Sequence, residues 1–167
     1  MITQPTLHLV HGIPGSGKTT FARQLEQQTH AVRFSPDEWM VKLHGTNPPE
    51  PLFRSQHERI MDLIWEHAGR VLRAECDVVM DGGFWSRASR DDARRRAAEL
   101  KVPCRLYALP TDIGEARRRV LARTKAMPPD TLEITGATFD YLVGQLEPLG
   151  SDEEYILVEA APASSLS

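Results

Sequence analysis

The sequence predicts an α/β fold built on a parallel sheet with helices on both faces. Three observations carry that expectation. Five short apolar runs alternate with longer helical stretches. A glycine-rich turn joins the first run to a helix. The length, 167 residues, suits one domain with one substantial core.

From the N-terminus, Thr6-Leu7-His8-Leu9-Val10 reads as a buried strand that stops at Gly12. Lys18 to about Gln28 reads as a helix with Phe21, Ala22 and Leu25 on one side. Ala31-Val32-Arg33-Phe34 is a short strand, and Ser35 caps a helix that starts at Pro36 and runs to about His44. The breaker-rich stretch Gly45 to Pro51 reads as a loop on the substrate side. A long helix is expected from about Ser55 to Ala74, with Ile60, Leu63, Ile64, His67, Val71 and Leu72 at helical spacing. Asp77 to Met80 is the third strand, ended by Asp81-Gly82-Gly83. Ser86 or Ser89 caps a helix that runs to about Leu100. Arg105 to Leu109 is the fourth strand. Helices over Asp112 to Arg123 and about Thr135 to Leu146 flank the Met127-Pro128-Pro129 break, and Tyr155 to Val158 is the fifth strand. Residues 1–167 read as a single domain, with a loose tail over 161–167.

Composition narrows the class of function. Lys and Arg number 20 against 23 Asp and Glu, a formal charge of −3, which argues against a strongly basic nucleic-acid coat. No apolar run approaches the ~18 residues of a membrane span. Met1 to Pro5 lacks the pattern of a signal peptide, so a cytoplasmic protein is expected. Cys76 and Cys104 have no paired metal spacing and read as ordinary buried or semi-buried thiols. The six histidines are scattered and do not suggest zinc.

The sharpest local signal is Gly12-Ile13-Pro14-Gly15-Ser16-Gly17-Lys18-Thr19. It fits the phosphate-binding loop pattern at every fixed position, between a strand and a helix. Glycines let successive backbone N–H groups turn inward around a phosphate. The helix N-terminus adds partial positive charge. Lys18 suits the β- and γ-phosphates of ATP, the Thr19 hydroxyl suits Mg²⁺, and Thr20 suits the α-phosphate.

Three further stretches bear on the chemistry beyond phosphate binding. Asp37 and Glu38 stand just past the second strand, at the edge where open α/β sheets bind ligands. A carboxylate there suits a general base, although acids are also favourable in a first helical turn. Val78-Val79-Met80-Asp81 has the form of an apolar strand ending in an acid. Asp81 is placed to hold Mg²⁺ through water or to orient the acceptor, or simply to start a turn. Glu115 to Lys125 holds four Arg and one Lys against one Glu. Ile113, Ala116 and Val120 read as its apolar anchor, and Arg119 and Arg123 share a face. Those arginines suit adenine stacking and phosphoryl charge, or else form a solvated basic face. The Pro-Pro break beyond them suggests a lid.

Together these pieces resemble the P-loop kinases that include the polynucleotide 5′-hydroxyl kinase domain, zeta toxins and chloramphenicol phosphotransferase. The resemblance to the polynucleotide kinase domain runs from about Leu7 to Pro128. It rests on Gly12 to Thr20, Ser35-Pro36-Asp37-Glu38, Asp81, and Arg119 to Pro128. It implies a three-layer α/β/α P-loop NTPase fold with a five-stranded parallel sheet and an arginine-bearing lid. It implies Asp37 as catalytic base, Lys18 as the phosphate lysine, Arg123 as the transition-state arginine and Arg119 as an arginine near the nucleotide. Asp81-Gly82-Gly83-Phe84-Trp85-Ser86-Arg87 departs from that domain. With Phe139, it is similar to a broad set of uncharacterised bacterial P-loop kinases.

The departure leaves the acceptor open. Phe84 and Trp85 suit covering the sheet edge or stacking on a planar acceptor, Trp39 suits packing or substrate contact, and Trp65 reads as core. Arg87, Arg90, Arg94, Arg95 and Arg96 against Asp91 and Asp92 read as an exposed helix surface with internal ion pairs, or as a polynucleotide track. The acidic residues Glu147, Asp152, Glu153, Glu154 and Glu159 oppose a track. The expectation is an ATP- and Mg²⁺-dependent kinase acting on a small hydroxylated acceptor. A 5′-hydroxyl kinase of oligonucleotides and a non-kinase nucleotide-binding regulator or ATPase are the alternatives.

Overall fold

A computed structural model describes residues 4–159. Five strands form one sheet in which every pairing is parallel: β1 Leu7–His11, β2 Val32–Phe34, β3 Val78–Gly83, β4 Cys104–Ala108 and β5 Ile156–Leu157. The spatial order is β2-β3-β1-β4-β5. Six helices connect and cover them: α1 Lys18–Thr29, α2 Pro36–His44, α3 Glu50–Arg73, α4 Arg87–Glu99, α5 Ile113–Ala126 and α6 Gly136–Gly144. The three-layer α/β architecture and the strand number match the sequence expectation. The chain moves outward from β1 to β2, back to β3, and then across β1 to β4. The C-terminal end of β1 is therefore the switch point where open sheets of this kind bind ligands.

Burial explains why the strand sequences are apolar throughout. Alternate residues of the central strands face two cores. Leu7, Leu9, Val78, Met80 and Leu106 pack with Ile60, Ile64, Ala68 and Leu72 of α3 and with Ala93 and Ala97 of α4. Val10, Val79 and Tyr107 face the other way and pack with Ala22 and Leu25 of α1. A third cluster joins the glycine-rich loop to the last two helices: Ile13, Ala116, Val120 and Phe139.

Helix starts obey the capping rules. The side chains of Ser35, Ser86, Asp112 and Thr135 each accept from a backbone N–H three residues on. Boundaries differ from expectation in places. The loop after α2 is shorter than 45–51, because α3 begins at Glu50 and takes Pro51 into its first turn, where a missing N–H costs nothing. β3 runs on through Asp81 to Gly83 instead of ending before Asp81. Leu63 and Ile113 are exposed, so the apolar seams of α3 and α5 are carried by Ile60, Ile64, Leu72, Ala116 and Val120. The 161–167 stretch lies outside the described residues.

The basic helix α4 requires a larger correction. Arg90 is fully buried, not a surface residue. Its guanidinium grips Glu153 through Nε at 2.9 Å and Nη2 at 2.8 Å, and Glu153 is buried too. The neighbouring arginines pair within the helix as expected, Arg87 and Arg94 with Asp91 and Arg95 and Arg96 with Asp92, but Arg87 and Arg94 also reach Asp152 and Glu153 of the C-terminal segment. Arg96 also lies over the Trp65 ring, 4.9 Å from its centroid. Trp65 is accordingly half-buried cover at the edge of the core. Both cysteines are free and half-buried. No helix among the described residues is long and apolar enough to cross a membrane.

Candidate active site

The loop Gly12–Thr19 leaves β1 and feeds α1. Its glycines are placed by geometry. Gly15 has φ +80°, and a Cβ there would lie 2.4 Å from the Ala116 carbonyl oxygen, so the loop passes directly against α5. A Cβ on Gly12 would lie 2.5 Å from the Ser16 hydroxyl oxygen and 3.2 Å from the Leu109 carbonyl oxygen. Gly17, with φ +89°, has open space where its Cβ would stand, and Pro14 is buried. The Lys18 ammonium folds along the loop and donates to the Ile13 carbonyl at 2.8 Å. Thr20 is exposed on the first turn of α1.

Two buried polar atoms in this region have no partner: the Ser16 hydroxyl oxygen and Nε of Arg123. Buried donors are nearly always satisfied, so both are ready for an anion. With an open Gly17, a lysine and a helix N-terminus, the loop residues fit a phosphate chain. The Thr19 hydroxyl stands beside the Asp81 carboxylate, close enough to favour its ionised form. Both are oxygen donors, which suits Mg²⁺. Arg33 also donates to Asp81, at 3.3 Å.

Lys18, Asp37 and Asp81 lie close enough to shift one another's titration, and the charge of Arg123 acts on Lys18 and Asp37. Burial pulls the Lys18 ammonium down to about 8, while Asp81 and Asp37 resist. Burial pushes Asp81 up against Thr19, Lys18 and Arg33. Desolvation at the cleft, helped by the neighbouring Glu38 charge, pushes Asp37 above the ordinary carboxylate range, against Lys18, His57 and Arg123. Asp37 nonetheless stays open to solvent, in the first turn of α2. Glu38 is committed elsewhere. It receives Arg33 at 2.9 and 3.0 Å and Arg23 at 3.0 Å, and these hold it below its ordinary value although burial opposes them.

Arg119 crosses the loop, donating to the Gly15 carbonyl at 3.4 Å while anchored to Glu115 at 2.9 Å. Arg123 sits one turn further along α5. Beyond α5 the 127–135 stretch is tied down. Thr124 exchanges hydrogen bonds with both backbone groups of Ile134, and Glu133 N donates to Thr46 O at 2.9 Å.

Some side chains stand where sequence reasoning did not look. Arg33 links α1, α2 and β3 through Glu26, Glu38 and Asp81. His57, on α3, stacks on Phe53 at 5.7 Å and faces Asp37. Nothing local marks either residue, because both roles depend on which strand or helix lies alongside. Of the aromatic residues, Trp39 packs edge-on to Phe34 and His67. Phe84 is core, and Trp85 turns its indole N–H onto the Gly12 carbonyl at 2.8 Å.

Known structures share this fold. A kinase candidate from Chloroflexus aurantiacus superposes with a TM-score of 0.74 at 16% identity, over 93% of this chain and 88% of that one. A chain of the Pnkp1/Rnl/Hen1 RNA repair complex gives 0.70 at 23% identity, over 85% of this chain and 44% of that one. A gluconokinase from Sinorhizobium meliloti gives 0.61 at 17% identity, over 93% and 82%. At these identities the likeness establishes the fold of P-loop kinases. An AAA domain family matches residues 7–149. That match spans most of the chain and includes the glycine-rich loop, α2, Asp81 and the arginines of α5, so the chain belongs to the AAA domain family, as a P-loop kinase-like member.

Proposed function

We propose that this protein is an ATP-dependent phosphotransferase that moves the γ-phosphoryl group to a hydroxyl of a small-molecule acceptor such as a nucleoside, sugar or antibiotic. One observation carries the reading. The cationic phosphate end of the cleft, Lys18 and Arg123, faces a solvent-open carboxylate, Asp37.

The acceptor oxygen bonds to the γ-phosphorus as the bond to the bridging β-oxygen breaks, and that electron pair leaves with ADP. Asp37 takes the hydroxyl proton. Its raised affinity for protons suits a base, and no hydrogen bond ties it down among the described residues. Lys18 and the loop N–H groups orient the phosphates, Ser16 adds its hydroxyl, and Arg123 offers Nε to the transferring group. Arg119 braces the nucleotide over Gly15. Thr19 and Asp81 would hold Mg²⁺, which would supply neutralising charge to the phosphates.

The internal pairing of the α4 arginines supports a small acceptor over a polynucleotide. The gluconokinase neighbour acts on a sugar acid, as its name states, whereas the RNA repair neighbour keeps an oligonucleotide acceptor in the test.

The test is γ-labelled ATP with a panel of hydroxylated compounds and a 5′-hydroxyl oligonucleotide. Label is expected on a small compound. With Asp37→Asn, transfer should fall roughly 10²- to 10⁴-fold while Mg·ATP binding persists. Full activity in that variant removes Asp37 from the mechanism. ATP turnover that ignores every acceptor supports the ATPase reading instead, and label on the oligonucleotide moves the assignment to a 5′-hydroxyl kinase.

A further inference from the structure

The segment after β3 is folded in a costly way. Gly83 has φ +79° and Phe84, not a glycine, has φ +46°. A Cβ on Gly83 would lie 2.7 Å from the Trp85 indole nitrogen, so the glycine makes room for the ring. That ring reaches back across the sheet end and donates to the Gly12 carbonyl, at the root of the phosphate loop. Backbone strain of this kind persists only where the surroundings over-determine it.

The surroundings here are a buried guanidinium. Arg90 donates through one nitrogen to the carbonyls of Phe84, at 3.1 Å, and Trp85, at 3.0 Å. His11, the last residue of β1, also donates to the Phe84 carbonyl, at 3.0 Å. Arg90 is itself fixed by Glu153, and the segment carrying Glu153 lies over the turn: Glu147 N donates to Trp85 O at 2.9 Å. A continuous polar path therefore leads from Glu153 through Arg90 and the Phe84–Trp85 turn to Gly12.

We propose that Trp85 is a positioning residue for the phosphate loop: its indole N–H fixes the Gly12 carbonyl, and Arg90, clamped by Glu153, holds the turn that delivers the indole. The loop must present its N–H groups inward before a phosphate arrives, and small misplacement of such donors costs binding and rate together. Fixing Gly12 from outside the loop supplies that pre-organisation. The proposal rests on the nucleotide reading above for its binding measurement but not for its exchange measurement.

The experiment begins with the indole ¹H–¹⁵N signals of the intact protein. There are three tryptophans, and Trp85→Phe assigns the relevant signal. It should exchange slowly with solvent and shift when Mg·ATP is added. Trp85→Phe should weaken Mg·ATP binding about five- to tenfold, the scale of one hydrogen bond, with the unfolding midpoint little changed. Site-specific replacement of Trp85 by benzothienylalanine keeps the ring shape and removes only the N–H. It should reproduce the loss, and it decides the matter if the phenylalanine variant folds poorly. Wild-type affinity in the benzothienylalanine protein, or an indole proton that exchanges at once, overturns the proposal. A wild-type protein that binds no Mg·ATP but keeps a slowly exchanging Trp85 proton defeats the nucleotide reading and leaves the brace standing.

Discussion

Asp37 and Glu38 are adjacent acids in one helical turn, and the structure gives them opposite fates. Glu38 is spent on Arg33 and Arg23, while Asp37 is left facing the phosphate end of the cleft. The sequence shows both acids at the ligand edge of the sheet, but the partition depends on Arg33, which is brought in from β2. The glycine-rich loop is legible because its chemistry is contiguous. Its tightness against α5 is not, because Ala116 is distant in sequence. This contact yields a prediction. Gly15 and Gly17 both have positive φ, but only Gly15 has backbone where its Cβ would go. Gly15→Ala should combine strain of roughly 1–3 kcal/mol with a steric push on α5, and should abolish Mg·ATP binding. Gly17→Ala should suffer the strain alone. Thermal melts and nucleotide titrations of the two variants check this, and equal loss of stability would contradict it.

Among the elements, α4 and α6 illustrate what periodicity can and cannot tell. In α4, five arginines look alike along the chain, yet Arg90 alone is fully buried, because its face of the helix meets Glu153, 63 residues later. Charge runs predict ion pairs well and burial poorly. α6 is short, and its one buried residue, Phe139, is the pin that fastens it to Ile13, Ala116 and Val120. Phe139→Ala should cost about 3–5 kcal/mol, read from urea unfolding. Nucleotide affinity should fall with it, because Ile13 belongs to the phosphate loop. A loss of stability with unchanged nucleotide affinity would show that the cluster supports α6 alone.

For the whole molecule, the parallel, two-sided layering is readable from the strand–helix alternation, whereas the strand order that puts the loop at the switch point emerges only from the structure. Stability against acid was not readable, since it depends on which titratable groups are buried. Burial holds His8 and His11 below the imidazole value of 6.5. His8 sits between Tyr107 and Asp77, at 3.1 and 3.0 Å. The unfolded chain therefore binds protons that the folded chain refuses, so this stability is complete above 6.5 and drains away as the pH falls below it. The Arg90 hydrogen bonds hold Glu153 far below the glutamate value of 4.5. Its contribution is present above that value and is lost as the pH drops further. Urea midpoints should decline in two stages, first below about pH 6.5 and again below about pH 4.5. A flat profile from neutrality to pH 5 would contradict the assignment of both histidines.

The hydrogen bond from Glu133 to Thr46 joins the stretch beyond α5 to the one between α2 and α3. Those two stretches are far apart in the chain, so they form a matched set. Exchanging either for a segment of another length would unfasten its counterpart, and a redesign of this scaffold has to treat the two together.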